Sequence, residues 1–203
     1  MVISVILYKI IQYENATNIL HWLCENGHIE DVKSMFKQNQ RNFWKPDEHG
    51  HHALMIACIS GQESIIQFLL STNLPKSYFN AKNVYGYTPF IIACQHGHAK
   101  IVQTLLSKDF IEVNQVDING IPGTLWACLR KQNEVMNILE NRPEFKPQMT
   151  TFKALVQEMR TKNENSTSKY IIGYNPEKGF EIKETEAKRS AFTKLRFGRV
   201  QYL

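Results

Sequence analysis

The sequence predicts a mainly α solenoid of about four helix-turn-helix units, closed by capping helices and followed by a small basic C-terminal extension with a candidate β-hairpin. Two observations carry this reading. First, the stretches Asn18–Gly27, His52–Gly61, Thr88–Gly97 and Pro122–Lys131 align, and their last residues are 34, 36 and 34 apart. A period in this range marks an array of helix pairs stacked on one another. Second, the chain's four cysteines, Cys24, Cys58, Cys94 and Cys128, fall at one place in that period. A metal cluster or disulfide framework has no reason to follow a structural repeat. A small buried position does, because a free Cys acts as a compact apolar side chain, and no CxxC spacing is present.

The expected segments are a capping helix over 1–15, units over about 16–46, 47–82, 83–116 and 117–145, and a cap helix with its extension over 146–203. Val2 to Leu7 is the most apolar stretch. Lys9 cuts it short and no small-residue cleavage site follows, so a buried helix over 2–13 is expected rather than a secretory signal. No apolar run approaches the roughly 20 residues that span a bilayer.

Within the units, Gly50, Gly86 and Gly120 stand in short turns where positive φ is easily taken only without a side chain. Thr88 is placed to cap a helix whose first residue is Pro89, where a missing N–H costs nothing. Ala57, Ala93 and Ala127 allow helices to approach closely, and Gly61 and Gly97 end the short helices. The second helices carry apolar residues at helical spacing: Ile29, Val32 and Phe36; Ile65, Phe68 and Leu69; Ile101, Val102, Leu105 and Leu106; Val135, Ile138 and Leu139. One such pair cannot bury its apolar face alone, so neighbours must close the core.

Beyond the units, Phe152, Leu155, Val156 and Met159 predict a helix over about 149–162. Both a cap on the last unit and the start of a separate module fit it. Residues 161–168 are polar and read as a linker. Tyr170–Tyr174 and Phe180–Lys183 flank the turn-rich 175–179 and predict a hairpin. The net charge of +5 is uneven: residues 146–203 balance at +6 and residues 1–145 at −1. Lys188, Arg189, Lys194, Arg196 and Arg199 form a basic tail with no acid from Ala187 onward. A solvated tail is the expectation. Contact with an acidic partner, nucleic acid or an anionic membrane is the sharper alternative.

The units resemble the ankyrin-repeat family, whose motif runs roughly D-x-x-G-x-T-P-L-H-x-A-x-x-G-H. Asn83, Gly86, Thr88, Pro89, Ala93, Gly97 and His98 match in the third unit. Asp47, Gly50, Leu54, Ala57 and Gly61 match in the second; Leu20, His21, Gly27 and His28 in the first; Asp117, Gly120 and Ala127 in the fourth. The fourth departs most, with Pro122-Gly123 displacing the Thr-Pro pair and Lys131 replacing the glycine. The resemblance covers about residues 16–145. It implies that His21, His28 and His98 form hydrogen bonds that hold turns together. It also implies protein binding by the turn tips and the exposed side of the first helices.

Carried over position by position, the tips are Glu48, His49 and His51; Val84, Tyr85 and Tyr87; and Ile118, Asn119 and Ile121. The helix positions are Glu25 and Asn26; Ile59 and Ser60; Gln95 and His96; and Leu129 and Arg130. Tyr85 and Tyr87 are the expected anchors, since tyrosine combines contact area with a hydroxyl. Trp22 and Trp126, at equivalent places, are expected to pack in the core or caps. The Asn-, Gln-, Lys- and Ile-rich composition resembles that of small ankyrin effectors which intracellular bacteria or viruses deliver into host cells.

No phosphate-binding loop, nucleophile elbow, zinc-protease helix or dinucleotide fingerprint is present. His49, His51 and His52 cluster near Asp47 but supply no tetrahedral set, so neither metal nor cofactor is expected. The prediction is therefore a non-enzymatic, intracellular protein-binding adaptor, with action in the host cytoplasm if it is an effector. The alternatives are an enzyme with an unrecognised activity in residues 146–203, or nucleic-acid or membrane binding by the basic tail.

Overall fold

A computed structural model describes residues 16–163, 169–175 and 179–185. The expected helix over 2–13 and the basic tail lie outside the described residues. In chain order the helices are α1 (Ala16–Glu25), α2 (Ile29–Gln38), α3 (Ala53–Ile59), α4 (Glu63–Leu70), α5 (Lys76–Phe79), α6 (Pro89–His96), α7 (Ala99–Leu106), α8 (Gly123–Leu129), α9 (Asn133–Glu140) and α10 (Lys146–Asn163). A 3-10 helix, Gln40–Trp44, precedes α3, and two strands follow, β1 (Lys169–Asn175) and β2 (Gly179–Thr185). The chain divides into two compact units, residues 1–156 and 157–203.

In the first unit, α1/α2, α3/α4, α6/α7 and α8/α9 are the four predicted pairs. First helices touch in the order α1, α3, α6, α8, and second helices in the order α2, α4, α7, α9, giving two layers. The four cysteines are reduced and buried between these layers, beside the buried Ala57, Ala93 and Ala127. Burial pushes the Cys24 thiol up to about 12 and raises those of Cys58 and Cys94 as well. The second helices bury Val32 and Phe36, Ile65 and Leu69, Ile101, Val102 and Leu105, and Val135 and Leu139. Their apolar stripes therefore face the first-helix layer.

Thr88 caps α6 as its sequence position suggests, its Oγ1 accepting from the Ile91 N–H at 3.3 Å. The turns between paired helices hold Gly27, Gly61 and Gly97 at φ of 75°, 72° and 79°. The positive φ favours glycine, and side chains of the next unit pack closely over each turn. A Cβ at Gly27 would lie 2.6 Å from Gln62 Oε1, and one at Gly61 2.8 Å from His98 Cε1. Those same side chains tie each unit to the one before: Gln62 Nε2 donates to Glu25 O (2.8 Å), His98 Nε2 meets Ile59 O (3.0 Å) and Gln132 Nε2 donates to Gln95 O (2.9 Å). His98 thus makes the implied bond and glutamine replaces it in the second and fourth units. His28 instead stacks on Trp22, ring centroids 4.9 Å apart. Lys131 takes the glycine's place with φ 57°, so the last turn keeps its shape at a cost in strain.

Two segments that the period treats as loop insertions contribute to the core. The 3-10 helix buries Phe43, and α5 buries Tyr78 and Phe79, with Leu74 buried just ahead of it. Tyr78 is fully buried and its hydroxyl accepts from the Leu54 N–H at 3.1 Å, satisfying a donor in the first turn of α3.

The first half of α10 belongs to the first unit. Phe145, Met149, Phe152 and Val156 are buried in one row, and Lys153 pairs with Glu140 of α9. In the second unit β1 and β2 form an antiparallel hairpin in which Ile172 faces Ile182 and Tyr174 faces Phe180.

Candidate protein-binding face

In the second, third and fourth units the turn before the first helix is built on one acidic or amide side chain. Asp47 Oδ1 accepts from the N–H groups of His49 (2.9 Å) and His51 (2.7 Å). Asn83 Oδ1 accepts from Tyr85 (3.0 Å) and Tyr87 (2.8 Å), and Asp117 Oδ1 from Asn119 (2.8 Å) and Ile121 (2.9 Å). The chain then reverses through Gly50, Gly86 and Gly120 at φ of 77° to 79°. Successive tips are joined edge to edge, Val84 N–H donating to His49 O and Ile118 N–H to Tyr85 O, each at 3.1 Å. A Cβ on Gly86 would come within 2.7 Å of the Ile118 nitrogen, so this stacking also requires glycine.

This frame presents side chains at fixed spacing. Val84, Tyr85 and Ile118 are 58, 42 and 69% exposed, and Glu48, His49, Asn119 and Arg130 are exposed too. Ile59, Ser60, Tyr87, Gln95, His96, Ile121 and Leu129 are half-buried. Glu25 and Asn26 lie exposed at the end of α1. His51 is the exception among the predicted residues. Its ring is buried against Asp47, Nδ1 to Oδ2 at 3.0 Å, and so braces the tip from behind rather than facing a partner. Burial alone would push the Asp47 carboxyl up, but the hydrogen bonds from His51 and His49 outweigh it and hold the carboxyl below its ordinary value.

The rings form a continuous row. His49 stacks near Tyr85 (centroids 6.3 Å), Tyr85 meets Tyr87 (6.0 Å), and Tyr87 meets the Trp126 edge (5.9 Å, 89° between planes). The Arg130 guanidinium closes the row 5.6 Å above the Trp126 ring. Trp126 is held in turn by its Nε1–H, which donates to Asp117 Oδ2 at 3.1 Å. The sequence assigned Trp126 to interior packing; it is half-buried and links the tips to the inner helices. Trp22, given the same assignment, is 47% exposed. The spacing of aromatic residues at 85, 87 and 126 was the available signal, but only stacking of the units brings them together.

Behind the second tip, His21, His51 and His52 surround the first helices' starts. His52 is 4% exposed, its ring 4.4 Å from that of Tyr78, and both ring nitrogens lack a hydrogen-bond partner among the described residues. Burial, with His21 and His51 nearby, lowers it to about 3. Burial lowers His21 as well, against the pull of Asp47. Among the described residues no group of three or more His, Cys, Asp or Glu side chains is arranged to hold a metal ion, and no helix is long and apolar enough to cross a membrane. Lys188, Arg189, Lys194, Arg196 and Arg199 lie outside the described residues.

The family models agree with this geometry. One described as ankyrin repeats (3 copies) matches residues 6–83, and one described as ankyrin repeat matches residues 85–118. The match begins ahead of α1 and stops short of α8, the first helix of the fourth pair. The comparison with curated proteins gives no match.

Proposed function

Because this chain belongs to the ankyrin-repeat family, we propose that it is an adaptor that holds a partner protein against the turn tips and first helices of its second to fourth units. Ankyrin repeats generally mediate protein–protein interaction and are typically non-enzymatic modules. The observation that carries the proposal is the row of rings from His49 through Tyr85 and Tyr87 to Trp126, ending on Arg130. Aromatic and arginine side chains dominate the energetics of protein interfaces, and rings fixed by their neighbours lose little entropy on binding. A merely solvated surface would not set Val84, Tyr85 and Ile118 side by side at the tips.

The finer form of the proposal is an effector acting in the cytoplasm of a host cell, supported by the Asn-, Gln-, Lys- and Ile-rich composition. The test is capture of partners from lysate by the full chain and by its Tyr85→Ala/Tyr87→Ala variant. Partners that bind are expected to lose at least about tenfold in yield with the variant. Equal capture by both chains would remove this face from the function.

A further inference from the structure

We propose that the partner segment is an acidic peptide, which sets a carboxylate against Arg130 and His96 and an aromatic or large aliphatic side chain against Tyr85. The inference rests on the binding face described above and adds the chemistry of its occupant.

Asn26, Ser60, His96 and Arg130 occupy one register position in successive units, separated by 34, 36 and 34 residues. The helices that carry them are neighbours in one layer. The row therefore changes from side chains that do not titrate in the first two units to a histidine and a guanidinium in the last two. The ring of His96 lies parallel to that of His98 at 6.1 Å, and His98 is itself held by Ile59 O of the second unit. The exposed acids that accompany this face, Glu25 and Glu48, lie at the opposite end, where Glu48 is 3.6 Å from His49; Asp117, the acid of the fourth-unit tip, is buried and engaged by Trp126. A charged peptide is thus offered one orientation, with its acid toward the fourth unit.

Arg130 is prepared for that acid. Stacking on Trp126 fixes the plane of the guanidinium, and Asp117 fixes Trp126. Among the described residues Arg130 is paired with no carboxylate. A planar guanidinium held in this way suits two-point bonding to a carboxylate, which an ammonium would not reproduce. His96 directs Nδ1 to Ile92 O at 3.0 Å, which anchors its ring beside that site. Burial, with Arg130 and His98 adding to it, disfavours the protonated ring in the free protein. A bound carboxylate would act in the opposite sense and favour the protonated ring. The face offers one guanidinium among rings rather than the file of Lys and Arg that a nucleic-acid backbone needs, so a peptide carboxylate is favoured over a phosphate.

The test is selection of random short peptides displayed on phage against the full-length chain, then titration of the enriched peptides. Winners are expected to carry Asp or Glu near an aromatic or large aliphatic residue. Their affinity should fall about tenfold or more with Arg130→Glu and with conversion of the peptide acid to its amide. The two losses together should be less than their sum. Arg130 is exposed and its stack on Trp126 is worth about 0.5–1 kcal/mol, so Arg130→Glu is expected to remain folded with only a small drop in unfolding temperature. Neutral or basic winners, or winners insensitive to Arg130→Glu, overturn the inference. They leave the face intact if they still require Tyr85 and Tyr87, and winners indifferent to both variants overturn the face as well. A library that yields no Arg130-dependent peptide, or RNA that competes at Arg130 where acidic peptides do not, also overturns it.

Discussion

Acidification is expected to destabilise the stack chiefly through one histidine. His52 stands immediately before α3, in the place where Thr88 caps α6. Its ring makes no capping bond and is buried against Tyr78. In the unfolded chain it titrates near 6.5, and in the folded chain near 3. Between these values the unfolded chain binds a proton that the folded chain refuses. Stability is therefore full above about pH 6.5, falls as the pH is lowered, and levels off below about pH 3. Lowering the pH from about 7.5 to about 5 crosses roughly 1.5 units of this window, and at about 1.36 kcal/mol per unit the loss is ~2 kcal/mol. His21 and His96 are lowered in the same sense and add to it. Asp47 does not contribute in this range, because its carboxyl is lowered from 3.8 and its stabilisation is lost only below that value. The assay is urea unfolding followed by circular dichroism at both pH values, for wild type and His52→Thr. Threonine removes the titrating ring and supplies a cap. The pH-dependent loss should shrink by ~2 kcal/mol in the variant, whatever its absolute stability. An unchanged pH dependence would refute the assignment of the loss to His52.

Lys131→Gly should stabilise the chain by about 0.5–1 kcal/mol in thermal or urea unfolding, since a left-handed non-glycine residue costs ~1–2 kcal/mol and glycine's extra unfolded freedom returns part of it. A destabilised variant would mean that the Lys131 side chain contributes more than its backbone strain costs. Tyr78→Phe should cost about 1–3 kcal/mol by leaving the buried Leu54 N–H without its acceptor, which equilibrium unfolding measures directly. All four cysteines should resist a thiol reagent in the native chain and react together on unfolding. Rapid labelling of any of Cys24, Cys58 or Cys94 in the native chain would contradict their burial between the helix layers.

Much of the stack is legible in local sequence. The glycines, the Thr88-Pro89 start and the cysteine period each reflect a constraint met within one unit or repeated in each. The arrangement of the candidate face was legible in part. Tyr85, His49 and Arg130 follow from register alone, because tips and first helices recur at the same positions. His51 does not: whether a tip residue faces outward or turns back depends on Asp47, whose second oxygen is free to take the ring. Trp126 was missed because its indole reaches across to Asp117 of its own tip and Tyr87 of the preceding unit.

By itself the sequence determined the number and phase of the helix pairs and which small residues lie between them, since both are set by a period that any unit states on its own. The tertiary structure decided how the units are joined. Gln62 and Gln132 take over the role expected of a histidine, Tyr78 of an apparent loop becomes core, and separate rings become one row. These outcomes depend on contacts between residues some thirty positions apart, whose geometry is fixed only when one unit lies on the next.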